Sequence, residues 1–351
     1  MGEAPSGEAS DARSGGWVDE RGPVPSSASA LPRYDELPVA EGSPPGSSWG
    51  LWGAGDRLGC LNLLTPERIA AAARLVERGV AFPLDAELTI PDPPLFGRVA
   101  MRHEVTGPDD GPGHDDVLHG WNTQASTQWD GFRHIRHPVH GWYGGAPEGT
   151  HGIDAWARRG LAGRAILADV ARWRERQGRP IRHDSPDPIT ADELLATLDD
   201  QGTVPEVGDV LLVRTGWLEW YRTLPAERRA QMASGHTNPG LHPDERTAEV
   251  LWNLHVAAVA ADNPSLEVWP PGALHDPDEL RAIRAEPHRR PEIFVHQRLL
   301  PLLGLPIGEL FDLAALAADC AEHGSWEGFF TSAPLHLPLG VASPPNAVVL
   351  R

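Results

Sequence analysis

The sequence predicts an α/β fold with mixed β-sheets, one compact domain over residues 47–351 behind an N-terminal arm. Three observations predict it. The apolar runs at 165–170, 208–215 and 255–260 have strand length and are bounded by turn residues. Helical segments with start signals lie between them, and alternation of helix and strand favours a mixed sheet. No linker-like stretch interrupts the chain after residue 47.

Residues 1–46 are rich in Gly, Pro, Ser, Ala and acidic side chains, with Trp17 and Tyr34 the only aromatics. Such a segment buries too little apolar surface to offset its ordering entropy, so it reads as a flexible or surface-draped arm. Ser47-Ser48-Trp49 begins the ordered part. Thr65 as N-cap and Pro66 at the first position open a helix that Gly79 ends, with Ile69, Ala73 and Val76 on its apolar stripe. Residues 81–106 read as strands and turns, and 107–120 as a Gly/Asp/His loop. Thr190 and Glu193 form a capping box ahead of Leu194, Leu195 and Leu198. Pro243 opens a helix through Ala248, Leu251 and Leu254. Residues 268–291 are rich in Pro, charge and His and read as an insertion or lid. A helix near 312–322 and strands near 328–337 and 346–350 close the chain.

Composition narrows the function. Apolar residues make up 40% and charged residues 23%, as in a soluble globular protein. A net charge of −19 argues against nucleic acid and anionic membranes as partners. The chain has no lysine, which excludes Schiff-base chemistry and a P-loop lysine. Cys60 and Cys320 are its only cysteines, without a disulfide framework, and a cytoplasmic location is expected. No apolar run has membrane-spanning length, and no secretory signal is visible. No Gly-rich nucleotide signature appears, so no nucleotide cofactor is expected.

The stretch 124–134 carries the chemistry. Gln124, Gln128, Asp130 and His134 all fall on even positions, which share one face of an extended strand. Trp129 and Phe132 flank that face. The bland reading is a polar edge strand whose side chains satisfy nearby backbone. Neighbouring Gly-rich loops and His137, His140, Trp142 and Tyr143 favour a polar pocket instead. His296 and Glu309, like Asp262 and Glu267, are individually unremarkable surface-type residues.

Together these residues carry a resemblance. The chain resembles the cyclase-like metal-dependent hydrolases, a family that includes bacterial kynurenine formamidase and isatin hydrolase. Their signature is H-x-G-T-H-x-D-x-P-x-H, and in 124–134 Thr127, Asp130 and His134 match it. Ser48–Trp52, 59–67, 208–217, 261–267 and 343–350 resemble other parts of the longer members, so the resemblance covers 47–351. It implies a swivelling β/β/α arrangement, a homodimer or larger homo-oligomer, and zinc- or manganese-assisted hydrolysis of small amides, lactams, N-formyl groups or esters. It further implies Asp130, His296 and Glu309 as metal ligands and His134 as the proton relay. Gln124 and Gln128 stand where the family has histidines. An amide oxygen is a poorer zinc ligand than imidazole and better suits manganese, magnesium or calcium.

Three readings follow for a small-molecule substrate. In the first, Gln124 or Gln128 completes a metal shell with Asp130, His296 and Glu309, while Trp129, Phe132, His137, His140 and Trp142 line the substrate pocket. In the second, Asp130 and His134 form an acid–base pair of a metal-independent cyclase, dehydratase or isomerase. In the third, the pocket binds a ligand without catalysis.

Overall fold

The computed structural model describes residues 31–351. The arm up to residue 30, with Trp17, lies outside the described residues. Residues 31–46, which composition assigns to the arm, lie against the body. Leu31 is buried, Trp252 Nε1 donates to the Pro32 carbonyl (2.9 Å), and the Tyr34 amide donates to Asn253 Oδ1 (2.9 Å).

The strands, in chain order, begin with β1 (Ala81–Pro83), β2 (Arg102–Thr106), β3 (Asp115–His119) and β4 (Gln128–Asp130). The middle of the chain adds β5 (Leu161–Asp169), β6 (Pro188–Ile189), β7 (Val210–Arg214), β8 (Gly240–Leu241) and β9 (Ala258–Ala261). The last are β10 (Ile307–Glu309), β11 (Glu327–Ser332), β12 (Ala342–Ser343) and β13 (Ala347–Leu350). Nine of these form one mixed sheet in the order β1-β13-β11-β5-β7-β9-β10-β4-β12. Its centre, β5-β7-β9-β10, is parallel, whereas β4 runs antiparallel to β10 and β11 antiparallel to β5. The central strands are covered on both faces, which is why β7 and β9 read as unbroken apolar runs. In β11, by contrast, buried and half-buried residues alternate.

Helix starts follow their caps. Thr65 Oγ1 accepts the Arg68 amide, Thr190 and Glu193 close a capping box, and Asp244 accepts the Thr247 amide. The helix opened by Pro66 ends earlier than Gly79: it is α-helical over Pro66–Ala72 and tightens to a 3-10 turn over Ala73–Leu75. Ala72 is its only buried residue, so little burial draws it further. Residues 107–120 are not all loop, because β3 pairs with β2 as a solvent-exposed hairpin. Asp, His and Glu side chains hide that strand from a hydrophobicity pattern. They also hold it, through His103–Asp116 (2.6 Å) and His119–Glu104 (2.9 Å). The segment 268–291 contains the helix Pro277–Ala285, capped by Asp276 and anchored by the buried Ile283. Among the described residues, no helix is long and apolar enough to cross a membrane.

The sheet is tightest where β4, β9 and β10 meet. A Cβ on Gly308 would stand 2.5 Å from Ala260 Cβ, 2.6 Å from Phe311 and 2.9 Å from Trp129. Gly308→Ala is therefore expected to destabilise the fold by about 1–3 kcal/mol, the usual cost of overpacking. Chemical denaturation measures this, and an unchanged midpoint would show that the sheet yields there.

Candidate functional site

The site is built on the pairing of β4 with β10. Their register sets Gln128 opposite Glu309 and Asp130 opposite Ile307. Gln128 and Asp130, two residues apart, share one face, while Trp129 points to the other. There Trp129 packs edge-on against Phe311 and donates from Nε1 to Ser332 Oγ (2.9 Å). Thr127 Oγ1 fixes the strand, accepting the Ala86 amide (2.8 Å) and donating to the Leu310 carbonyl (2.7 Å).

The extended segment is only three residues long, not the eleven of the motif. Gln124 and His134 reach the same face by turns at either end. The Gln124 amide bonds Asn122 Oδ1 (2.8 Å) on one side, and on the other the His134 amide bonds the Gly131 carbonyl (2.9 Å). Gly131 is required because a Cβ would meet the Val341 carbonyl at 2.6 Å.

The four motif residues then converge with two from elsewhere. Asp130 Oδ1 accepts from Gln124 Nε2 (2.8 Å) and more distantly from Gln128 Nε2 (3.3 Å). Gln128 Nε2 also donates to Glu309 Oε2 (2.5 Å), and its Oε1 accepts from Arg98 (3.4 Å). The outer oxygens of both carboxylates are thus held by amides. The inner ones face each other across His296, whose Nε2 lies 3.2 Å from Glu309 Oε1 and 3.7 Å from Asp130 Oδ2. Asp130 Oδ2 is buried with no hydrogen-bond partner among the described residues, which is costly for a carboxylate oxygen. His134 Nε2 lies 3.8 Å from the same oxygen, and its side chain, 23% exposed, opens the cluster to solvent.

These atoms fit a cation. Asp130, His296 and Glu309 each offer a ligand atom, and the three lie within 4.8 Å of one another, all buried. Glu267, fully buried, accepts a hydrogen bond from His296 Nδ1 (2.7 Å), which turns Nε2 toward the two carboxylates. Gln124 and Gln128 do not present oxygens there. Turning the Gln128 amide around would set its oxygen against Glu309 and its NH₂ against Arg98. The glutamines therefore orient the carboxylates rather than complete the shell, against the sequence expectation.

Electrostatics agree. Burial pushes Glu309 up to about 7, aided by the charge of Asp130. For Asp130 burial also acts upward, but the surrounding positive charge, His296 and Arg98 included, outweighs it and lowers the carboxyl pKa to about 2. Burial works against protonation of His296, yet Glu267, Asp130 and Glu309 raise its pKa well above normal. A buried cluster of three carboxylates demands positive charge, and here the imidazole supplies it.

Residues 70–268 match the protein-family model described as putative cyclase. The chain belongs to that family. A crystal structure described as a novel cyclase is similar over 87% of this chain and 99% of its own, at 29% identity and a TM-score of 0.73. Isatin hydrolase A from Ralstonia solanacearum shares the fold at 17% identity and a TM-score of 0.51, over 81% of this chain and 96% of its own. Isatin hydrolase A from Labrenzia aggregata, bound to benzyl benzoate, gives 17% and 0.50 over 78% and 94%. No curated protein sequence matches the chain significantly.

The other residues singled out by sequence make the following contacts. Phe132 is core, packed against Tyr143 and Trp156. Tyr143 donates to Asp56 Oδ2 (2.9 Å). His137 and His140 stack on each other at 4.6 Å, with His137 Nδ1 accepting the Val139 and His140 amides, and Trp142 caps the next turn. Aromatic side chains line a separate cavity. A cavity of about 540 Å³ is lined by Phe96, Met232, His236 and Trp269 among others. Arg98, which bonds the Gln124 carbonyl and Gln128, lies 4.8 Å over the Phe96 ring and ties this cavity to the cluster. Sequence gave no signal for Arg98 or His236, since neither belongs to a motif. Glu267 stood out only weakly, two residues before Trp269.

Two outcomes follow. Glu267→Gln should weaken divalent-cation binding about 10–100-fold, as loss of such partners does, and titration calorimetry with Zn²⁺ or Mn²⁺ measures it. His236 has its pKa pushed down to about 4 by burial, against the hydrogen bond to the Met232 backbone. A depressed folded-state pKa stabilises the fold above the unfolded value near 6.5 and loses that contribution as pH falls toward 4. His236→Gln should lose less stability than wild type between those pH values in urea titrations; parallel losses would place the acid sensitivity elsewhere.

Proposed function

We propose that the chain is a hydrolase of a small amide, lactam, N-formyl or ester substrate, assisted by a divalent cation. One observation carries this: the convergence of Asp130 Oδ2, His296 Nε2 and Glu309 Oε1 beside the solvent-facing His134. Asp130, His296 and Glu309 would hold the cation, which supplies Lewis-acid polarisation of a carbonyl and activation of water. Gln124 and Gln128 keep the two carboxylates turned inward. Glu267 keeps His296 in the tautomer whose Nε2 can coordinate. His134 presents its Nε2 where a substrate carbonyl or leaving group would lie. The cavity bounded by Phe96, His236 and Trp269, which also carries Asp184, Arg228, Ser234 and Thr237, would take the organic part of the substrate, with aromatic walls and several polar groups. Fold likeness to isatin hydrolases supports the class of reaction, not a particular substrate.

The test is turnover with a panel of formanilides, lactams including isatin, and aryl esters, alongside elemental analysis of the purified protein. Hydrolysis of at least one compound is expected, dependent on Zn²⁺ or Mn²⁺ and lost in strong chelator. Asp130→Asn should abolish it with an unchanged circular dichroism spectrum. Full activity of that variant would remove Asp130 from the site, and full activity in chelator would remove the cation.

A further inference from the structure

We infer that Gln124 is a positioning residue that fixes His134 in the tautomer protonated on Nε2, making His134 a hydrogen-bond donor to the substrate's carbonyl or developing oxyanion. For the catalytic consequence this rests on the hydrolase reading; the tautomer itself does not. It departs from the proton relay that the family resemblance implies for this histidine.

Two contacts of one nitrogen carry it. Gln124 Nε2 lies 2.8 Å from Asp130 Oδ1 and 3.0 Å from His134 Nδ1. An ionised carboxylate only accepts, so the end of the amide that faces Asp130 is its NH₂ and not its oxygen. That nitrogen has two hydrogens and no lone pair to offer. One hydrogen goes to Asp130, and the other is committed to His134 Nδ1. Nδ1 is therefore an acceptor, and the single proton of the neutral ring sits on Nε2. Arg98 holds the main chain behind it, donating to the backbone carbonyl of Gln124, and donates also to Gln128 Oε1.

The consequence concerns Nε2. It lies 3.8 Å from Asp130 Oδ2, beyond hydrogen-bond range, on a partly exposed side chain. Its N–H is available to a ligand. With Nδ1 occupied by an amide hydrogen, the ring cannot take a second proton unless Gln124 moves, and a neutral Nε2–H ring has no lone pair there to act as base. No proton is transferred by His134 in this role. It stabilises negative charge growing on the substrate oxygen, as oxyanion-hole donors do. An imidazole at position 124 would lack the paired hydrogens needed to hold Asp130 and His134 at once.

The test reads the tautomer directly. Long-range ¹H–¹⁵N spectra of the full chain labelled with ¹⁵N-histidine, at pH 7, report the protonation of each ring nitrogen. The His134 signals are assigned by their loss in His134→Gln. Expected are an unprotonated Nδ1 and a protonated Nε2 in wild type. Gln124→Met should give a mixture of tautomers or an imidazolium, and Gln124→Glu should move the proton to Nδ1. A wild-type His134 that is protonated on Nδ1 overturns the inference, as does a Gln124→Met spectrum identical to wild type. Kinetics with any panel compound that turns over separate donor from relay. His134→Gln retains an N–H near the Nε2 position and should fall less than about tenfold, whereas His134→Leu should lose about 10²–10³-fold, the cost of an oxyanion donor. Equal losses in both would restore the relay. If no panel compound turns over, the hydrolase reading fails while the spectrum still decides the tautomer.

Discussion

The site depends on one buried carboxylate whose two oxygens are treated differently. Asp130 Oδ1 is held by two side-chain amides, while Oδ2 has no hydrogen-bond partner among the described residues and faces two imidazoles. Burying an ionised carboxylate costs several kcal/mol unless charge and hydrogen bonds compensate. Here the compensation is lopsided by construction. The amides satisfy the outer oxygen and set the torsion of the carboxyl, so the inner oxygen can point only into the cluster. The same device recurs at Glu309, where Gln128 holds Oε2 and leaves Oε1 for His296. Because Gln128 and Glu309 are direct cross-strand partners, the sheet register itself enforces the geometry.

This gives the two glutamines a physical meaning that composition alone does not. Replacing an imidazole by an amide at such positions exchanges one coordinating nitrogen for two hydrogens and an oxygen. The hydrogens are best used against carboxylates, and the structure uses them so. The oxygen of Gln128 is turned to Arg98, a permanent cation. The carboxylates of Asp130 and Glu309 are the better held for it.

Much of this was legible in the sequence, though not always for the stated reason. Even spacing correctly grouped Gln124, Gln128, Asp130 and His134, yet strand alternation accounts only for Gln128 and Asp130. The outer two arrive through turns that a period-two pattern cannot describe. Strand ends were readable where burial on both faces made apolar runs, as in β7 and β9. They were not readable in β3, where ion pairs rather than burial hold the ladder. Trp129 and Phe132 looked like pocket walls because they lie among polar residues in sequence, but strand alternation turns Trp129 to the opposite face, and Phe132, past the strand end, packs on Tyr143 and Trp156. Arg98, His236 and Trp269 meet the site only through tertiary packing, for which a single sequence has no local signal.

The cluster and the cavity are built from different kinds of structure. Asp130 and Glu309 sit on the short paired strands β4 and β10, where Gly308 leaves no room even for a methyl group. Glu267 and His296 are fully buried just outside it. These positions cannot drift without disturbing the core. Phe96, His236 and Trp269 come instead from irregular segments between elements, two of them from the stretches after Leu95 and Met232. Such segments can change length and side chain at little cost to the fold. Arg98 is the exception, since it belongs to the variable wall yet bonds the fixed glutamines. Through Arg98, a change at Phe96 is felt at the main chain of Gln124 and at the Gln128 amide, and through that amide at Glu309 and Asp130.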